Sequence, residues 1–171
     1  AIRSEEEPSL RAELLEAYRD TYLAQEIRAE ALVRDFESFN RFIEVAALMN
    51  GRVVNAAGIA RDAGVARATV QKHFDLLVDT LIGTWLPAWR PRLRIKETAH
   101  PKFYLFDTGV ARALAGRARL PLDSAERGPL RETWMRHERQ AWCDQGGPQG
   151  ELSYWRTPSG VEVDFVWTAG K

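Results

Sequence analysis

Apolar residues recur three and four apart over the first half of the chain and alternate near its end, so the sequence predicts helices first and strands later. Leu10, Leu14, Tyr18 and Tyr22, with Leu15, Leu23 and Ile27 beside them, make one stripe of a long helix reaching about Ala31, acidic on its outer face. Ser4 to Glu7 offers a capping box for it, and Pro8 an alternative first turn. A second helix, Phe36 to Met49, carries Phe36, Phe39, Ile43 and Leu48, with Asp35 as its cap and Asn50-Gly51 as its stop.

The stretch from Asn55 to Ile82 reads as two short helices across a tight turn. The first runs about Ala56 to Ala63 and buries Ile59 and Ala60; Gly64 supplies the left-handed backbone of the turn and Val65 plugs the corner. The second, from about Arg67 to Val78, turns Val70, Phe74, Leu77 and then Leu81 inward. Its other face is Arg67, Ala68, Gln71, Lys72 and Asp75. This pattern predicts a helix-turn-helix whose second helix can enter a major groove, though the same spacing serves helix pairs that never meet nucleic acid.

Three strand-like stretches follow: Leu81 to Leu86, Arg90 to Lys96 and Lys102 to Phe106, in the position of a wing. Arg90, Arg92, Arg94 and Lys96 alternate and so share one face of a strand. That ridge suits a phosphate backbone, or equally an edge strand guarded by charge, and Pro91 fits both. Asp107, Thr108 and Gly109 cap a short helix to about Ala115, and Gly116 to Gly128 reads as a loop or linker. A helix from about Pro129 to Asp144 follows, with Leu130, Trp134, His137 or Glu138, and Ala141 on one face. A hairpin ends the pattern, Glu151 to Arg156 and Val161 to Thr168, about a Thr-Pro-Ser-Gly turn. Strict alternation puts Val161, Val163, Phe165 and Trp167 on one side of the last strand and Glu162, Asp164 and Val166 on the other. An acid in such a strand is costly unless paired, solvated or bound to metal.

Composition narrows the class. With 171 residues, 45% hydrophobic and 28% charged, the chain has room for a sizeable core in one domain or two small ones. No apolar run approaches a membrane span and no secretory signal opens the chain, so a cytoplasmic protein without a membrane partner is expected. Cys143 is the single cysteine and the three histidines are scattered, which leaves no disulfide and no zinc spacing. The net charge of zero conceals an asymmetry: residues 1–40 hold 5 basic and 10 acidic side chains, residues 41–106 hold 10 and 5, and residues 107–171 hold 9 and 9. The basic excess falls on the helix-turn-helix segment. Trp85, Trp89, Trp134, Trp142, Trp155 and Trp167 are expected mostly in cores or interfaces, and His73 and His100 as packing or surface residues. Ser159 lacks a His–Asp arrangement for nucleophilic catalysis.

The segments FIEVAALMNGRVVN, IARDAGVARATVQKHFDLLVDTLI, LPAWRP, KFYLFDTGVARAL, GPLRETWMRHE and YWRTPSGVEVDF together resemble the C-terminal region of predicted prokaryotic AAA-type ATPases, over about Tyr18 to Trp167. FDTG and WRTPSGVEVDF carry the most specific part of the likeness. The resemblance implies an upstream P-loop ATPase domain holding ATP and Mg²⁺; no GxxxxGK[ST] occurs here, so this chain would be a fragment without an ATP site. It also implies a second half similar to the PD-(D/E)xK nuclease fold, in which Glu132 matches the helix acid and Asp164 the strand acid of a Mg²⁺ site. The Glu-x-Lys strand that should follow finds no match in TAGK. The expectation is therefore α+β: helices and a winged helix over 1–106, and a truncated nuclease-like piece over 107–171. Glu132 would pair with Arg136 or Arg156 in place of metal. The helix bearing Glu132 should cross the Asp164 face of the hairpin, with Arg156 between the two acids. The implied function is a non-catalytic accessory region of an ATPase that binds double-stranded DNA through Arg67, Gln71, Lys72, Arg90, Arg92, Arg94 and Lys96. The alternatives are a metal-dependent nuclease in the full-length protein and a protein-interaction module coupled to ATP hydrolysis. Further partners would be the upstream ATPase domain and copies of the same chain.

Overall fold

The computed structural model describes residues 8–23, 25, 35–89, 100–157 and 159–169. Pro8 opens helix α1 (Pro8–Ala17) at the position where its missing N–H costs nothing, and the backbone continues as a π-helical segment, Tyr18–Leu23. Residues 26–34, the rest of the expected long helix, lie outside the described residues, as do residues 90–99. Helix α2 (Phe36–Leu48) starts where the Asp35 carboxylate accepts the Ser38 N–H, 3.0 Å away. Helices α3 (Ala56–Ala63) and α4 (Arg67–Asp79) meet through Gly64, whose φ of 65° is the left-handed turn its sequence position required.

Strands β1 (Gly83–Leu86) and β2 (Lys102–Leu105) pair antiparallel, Gly83 opposite Leu105 and Leu86 opposite Lys102. Helix α5 (Thr108–Leu114) is held by the Asp107 side chain, which accepts the N–H groups of Gly109 and Val110. Around these elements lies one core. Phe42 meets Phe74 edge-on at 5.0 Å between ring centroids, Phe74 meets Phe103 at 4.7 Å, and Val70, Leu77, Ile82, Val110 and Leu114 close around them. Each such side chain contributes about 1.5–3 kcal/mol on burial, so this cluster carries the fold. His73 belongs to it, packed between Phe39 and Phe42.

Two expectations need correction. The long helix α6 spans Ser124–Asp144, not Pro129–Asp144: Asp123 caps it, and Glu126 reaches back to complete a capping box inside what had read as a linker. Pro129 sits within the helix. Moreover, α6 does not dock through an apolar stripe. Trp134, His137 and Glu138 are exposed and Thr133 is its one buried residue. The docking face is polar. Pro129 rests on Gly51, the Thr133 hydroxyl accepts from Asn50 Nδ2 at 2.8 Å, Glu132 meets Lys102, and Arg136 donates to the Thr84 hydroxyl at 2.8 Å. These positions recur three and four apart, so the helical period is present but is written in polar residues.

The terminal hairpin, β3 (Gly150–Arg156) with β4 (Glu162–Ala169), is antiparallel and carries a bulge: Ser153 opposes Val166 while Trp155 opposes Val163. Two residues of β4, Asp164 and Phe165, therefore face the single Tyr154. The extra residue cancels strict alternation. Glu162 and Asp164 share a face with Phe165 and Trp167, and Val163 and Val166 point the other way, contrary to the period-two expectation. The hairpin joins the rest through a parallel bridge at Ala88 and Tyr154, where the Tyr154 N–H donates to Pro87 O at 3.0 Å. Leu86, Tyr104 and Tyr154 form a small second core there, with Phe165 against it. No helix among the described residues is long and apolar enough to cross a membrane. None of the six tryptophans is fully buried, and Trp89, Trp134 and Trp142 are exposed, so these three do not fill the core.

Candidate functional site

Lys102 begins β2 between two neighbours, bridging to Val53 on one side and pairing with Leu86 on the other. Its side chain is 3% exposed. A lysine that deep needs anionic partners, and the bulged hairpin and α6 bring them. Lys102 Nζ lies 2.5 Å from Glu162 Oε1, 3.1 Å from Glu132 Oε2 and 3.7 Å from Asp164 Oδ1. The Tyr104 hydroxyl, two residues along the same face of β2, donates to Glu132 Oε2 at 2.6 Å. Arg156 Nε stands 3.6 Å from the other oxygen of Glu162. The Tyr154 ring lies under the ammonium, 5.4 Å from its centroid, and its hydroxyl donates to the His100 carbonyl.

Burial alone would push the Lys102 ammonium toward the neutral form. The bonds to Glu162 and Glu132 outweigh it and hold the pKa above the ordinary lysine value. Tyr104 is raised by burial and then by its bond to Glu132, and Tyr154 is raised by burial and the nearby Glu162 charge. All three therefore stay protonated at neutral pH. None is a general base, and the Tyr104 hydroxyl is a fixed donor. The cluster sets the carboxylates of Glu132, Glu162 and Asp164 against Lys102 and Arg156, a local balance of −1.

Glu132 and Asp164 approach one cation from opposite elements, but not the arginine expected between them. The cation is Lys102, and neither Arg136 nor Arg156 pairs with Glu132. Arg136 is turned to Thr84 and the Trp85 carbonyl, and Arg156 reaches Glu162 instead. A divalent metal does not fit this arrangement. The ammonium occupies the point on which the oxygens converge, and no group of three His, Cys, Asp or Glu among the described residues is disposed to hold an ion.

Of the residues expected to touch DNA, Arg67, Gln71 and Lys72 are exposed on α4, with Gln71 Nε2 donating to Asp75 at 2.9 Å. Arg90, Arg92, Arg94 and Lys96 lie outside the described residues. Sequence reasoning missed Lys102, Tyr104 and Glu162. The signal was a Lys two residues from a Tyr in an otherwise apolar strand, and an acid two residues before Asp164.

Residues 1–120 match the family model of a domain of unknown function, DUF8612. The chain belongs to this family. The match takes in Lys102 and Tyr104 and ends before their partners on α6 and β4. The chain is also similar to the uncharacterized protein Mb2031c of Mycobacterium bovis and to the uncharacterized protein Rv2008c of Mycobacterium tuberculosis. Each is 28% identical over 159 residues, covering 91% of this chain and 35% of the relative. The chain thus spans about a third of the length of the curated relatives it matches, 35%. No solved structure matches.

Proposed function

We propose that this DUF8612 chain is a non-catalytic accessory region that binds double-stranded DNA through a winged helix. One observation carries the reading: the N-terminal half of α4 turns Arg67, Ala68, Gln71 and Lys72 to solvent, directly after the Gly64 turn and before the β1–β2 pair. In a winged helix those positions face the base edges and flanking phosphates, and the pair occupies the place of the wing. The cluster at Lys102 supports the non-catalytic part, because its lysine neutralises acids that a metal site would need free. The larger protein is read as an AAA-type ATPase on the resemblance of its segments, in keeping with relatives much longer than this chain.

The test is fluorescence anisotropy of a labelled duplex titrated with the chain across a salt series. Affinity should fall as salt rises, and Arg67→Ala with Lys72→Ala should weaken binding at every sequence tested. Binding that ignores salt, or that survives the double change, overturns the reading. A metal-dependent nuclease in the full-length protein is the reading this arrangement argues against, because Lys102 stands where a metal would have to sit between Glu132 and Asp164. Plasmid cleavage with Mg²⁺ or Mn²⁺ that disappears in Asp164→Ala would establish it.

A further inference from the structure

A groove of about 710 Å³ runs between α1, α5 and α6, away from the outer face of α4 and from Lys102. Its chemistry is divided. Leu15, Leu122, Leu130 and Trp134 give it an apolar floor, and Arg11, Arg112, Arg127 and Arg131 line it with positive charge. No carboxylate of the described residues lines it. In the turn after α5 Arg119 is bidentate to Glu16 and Arg117 reaches Glu126 at 3.2 Å, and in the groove itself Arg112 stands 3.8 Å from Glu126. Arg127 and Arg131 form no ion pair among the described residues. They stand one helical turn apart on α6, about 6 Å along its axis. Leu130 and Trp134 repeat the same spacing beside them. Leu122 is 46% and Trp134 49% exposed, large apolar side chains of the groove lining left to water.

We propose that this groove docks an acidic amphipathic helix of a protein partner. The complement of an apolar stripe flanked by two arginines one turn apart is a helix with apolar residues at i and i+4 and carboxylates one turn apart alongside. A planar guanidinium grips a carboxylate with two parallel bonds, and the aliphatic floor desolvates the pair, so charge supplies orientation and the floor supplies affinity. Nucleic acid fits less well. A single strand asks for successive aromatic rings on which bases stack, and Trp134 is the one ring here; a duplex would leave Leu15, Leu122 and Leu130 against water. The proposal does not rest on the DNA-binding reading, which uses Arg67 and Lys72.

The probe is a fluorescein-labelled synthetic peptide of about four helical turns, with Leu at i and i+4 flanked by Glu, blocked at both ends. It is compared with its scrambled form, its Gln-for-Glu form and a labelled oligothymidylate. Anisotropy with the full chain should show saturable binding of the Glu peptide, weakened about tenfold or more by Arg127→Glu with Arg131→Glu and likewise by Trp134→Ala. Circular dichroism and melting of these exposed-site variants should stay unchanged, and the milder Arg127→Ala with Arg131→Ala pair should fall between. The Gln and scrambled peptides should bind more weakly. No binding of the Glu peptide at millimolar protein overturns the proposal, as does equal binding of the scrambled peptide, or an oligothymidylate that displaces it through the same arginines.

Discussion

Lys102→Met should be among the most destabilising single changes outside the aromatic core. At an effective dielectric near 20, opposite unit charges attract by about 4 kcal/mol at 4 Å and by more when closer, and Lys102 meets Glu162 at 2.5 Å and Glu132 at 3.1 Å. Withdrawing the three charges from water costs several kcal/mol per buried ion, so the intact cluster adds little net stability. Removing the lysine alone forfeits the attraction and leaves the desolvation, which puts the loss at about 3–5 kcal/mol. The two close acids suffer unequally. Glu162 keeps Arg156 as a second cation at 3.6 Å, whereas Glu132 keeps only the neutral Tyr104 hydroxyl. Adding Glu132→Gln to Lys102→Met should therefore restore about half of the loss. Asp164→Asn alone should cost under about 1 kcal/mol, because that carboxylate is 3.7 Å from the ammonium and 53% exposed.

Urea denaturation at pH 7 measures all four chains. For a protein of 171 residues, each kcal/mol corresponds to about 2–4 °C in Tm, so the single lysine change should lower melting by about 6–20 °C. A loss below about 1 kcal/mol, or a double variant no better than Lys102→Met, would refute the idea that the lysine holds the hairpin and α6 together by charge.

Asn50→Ala should cost about 2 kcal/mol, since Asn50 Oδ1 accepts the buried Leu105 N–H at 2.8 Å and its Nδ2 reaches Thr133; thermal melting checks it. Gly83→Ala should destabilise by about 1–3 kcal/mol, because a Cβ there would come 2.3 Å from the Phe103 ring; its urea midpoint should fall with unchanged slope. His73 has its pKa lowered by burial, opposed by the Asp35 charge, and its buried Nε2 finds no hydrogen-bond partner among the described residues. The unfolded chain thus binds the proton more readily, and stability should fall as pH drops below about 6.5 toward the depressed native value. That slope should disappear in His73→Leu.

The helical half was legible where its apolar residues keep one period, at Phe39, Ile43, Val70, Phe74 and Leu77, and where its caps are local. Leu81, expected to turn inward, lies past the end of α4 and is 83% exposed, and Leu48 is exposed too. Asp35 and Asp107 each accept the N–H groups their positions predict, and Gly64 takes the left-handed turn. The second half resisted for two physical reasons. Helix α6 docks through Pro129, Glu132, Thr133 and Arg136, so a search for an apolar stripe selected Trp134 and Glu138, which face solvent. In β4 the bulge adds one residue, and a single-residue shift moves every later side chain to the other face. The pairing of Glu132 and Asp164 across one cation was readable from motif position. The identity of the cation was not, because Lys102 is separated from both in sequence and its burial arises only from tertiary packing.

The basic excess of residues 41–106 overstates what a duplex would meet. Lys102 is consumed inside the molecule, Arg61 pairs with Asp62 at 2.9 Å, and Arg41 pairs with Glu37 and donates to the Ala63 carbonyl. On α4 itself Arg67 and Lys72 lie toward the N-terminal end, whereas Asp75 and Asp79 occupy the other end of the exposed face. A duplex on this face would have its phosphates drawn to the first turns of α4 and repelled from its last, the orientation in which a recognition helix presents its N-terminal residues to the groove. Two phosphate contacts from α4 alone correspond to a slope of log K against log salt of about −1.8. Engagement of Arg90, Arg92, Arg94 and Lys96 as well would steepen it to about −5. A slope near the first value that vanishes in Arg67→Ala with Lys72→Ala confines contact to the helix. A slope near the second that drops by about 4 on neutralising the four bases of residues 90–96 assigns them to the backbone.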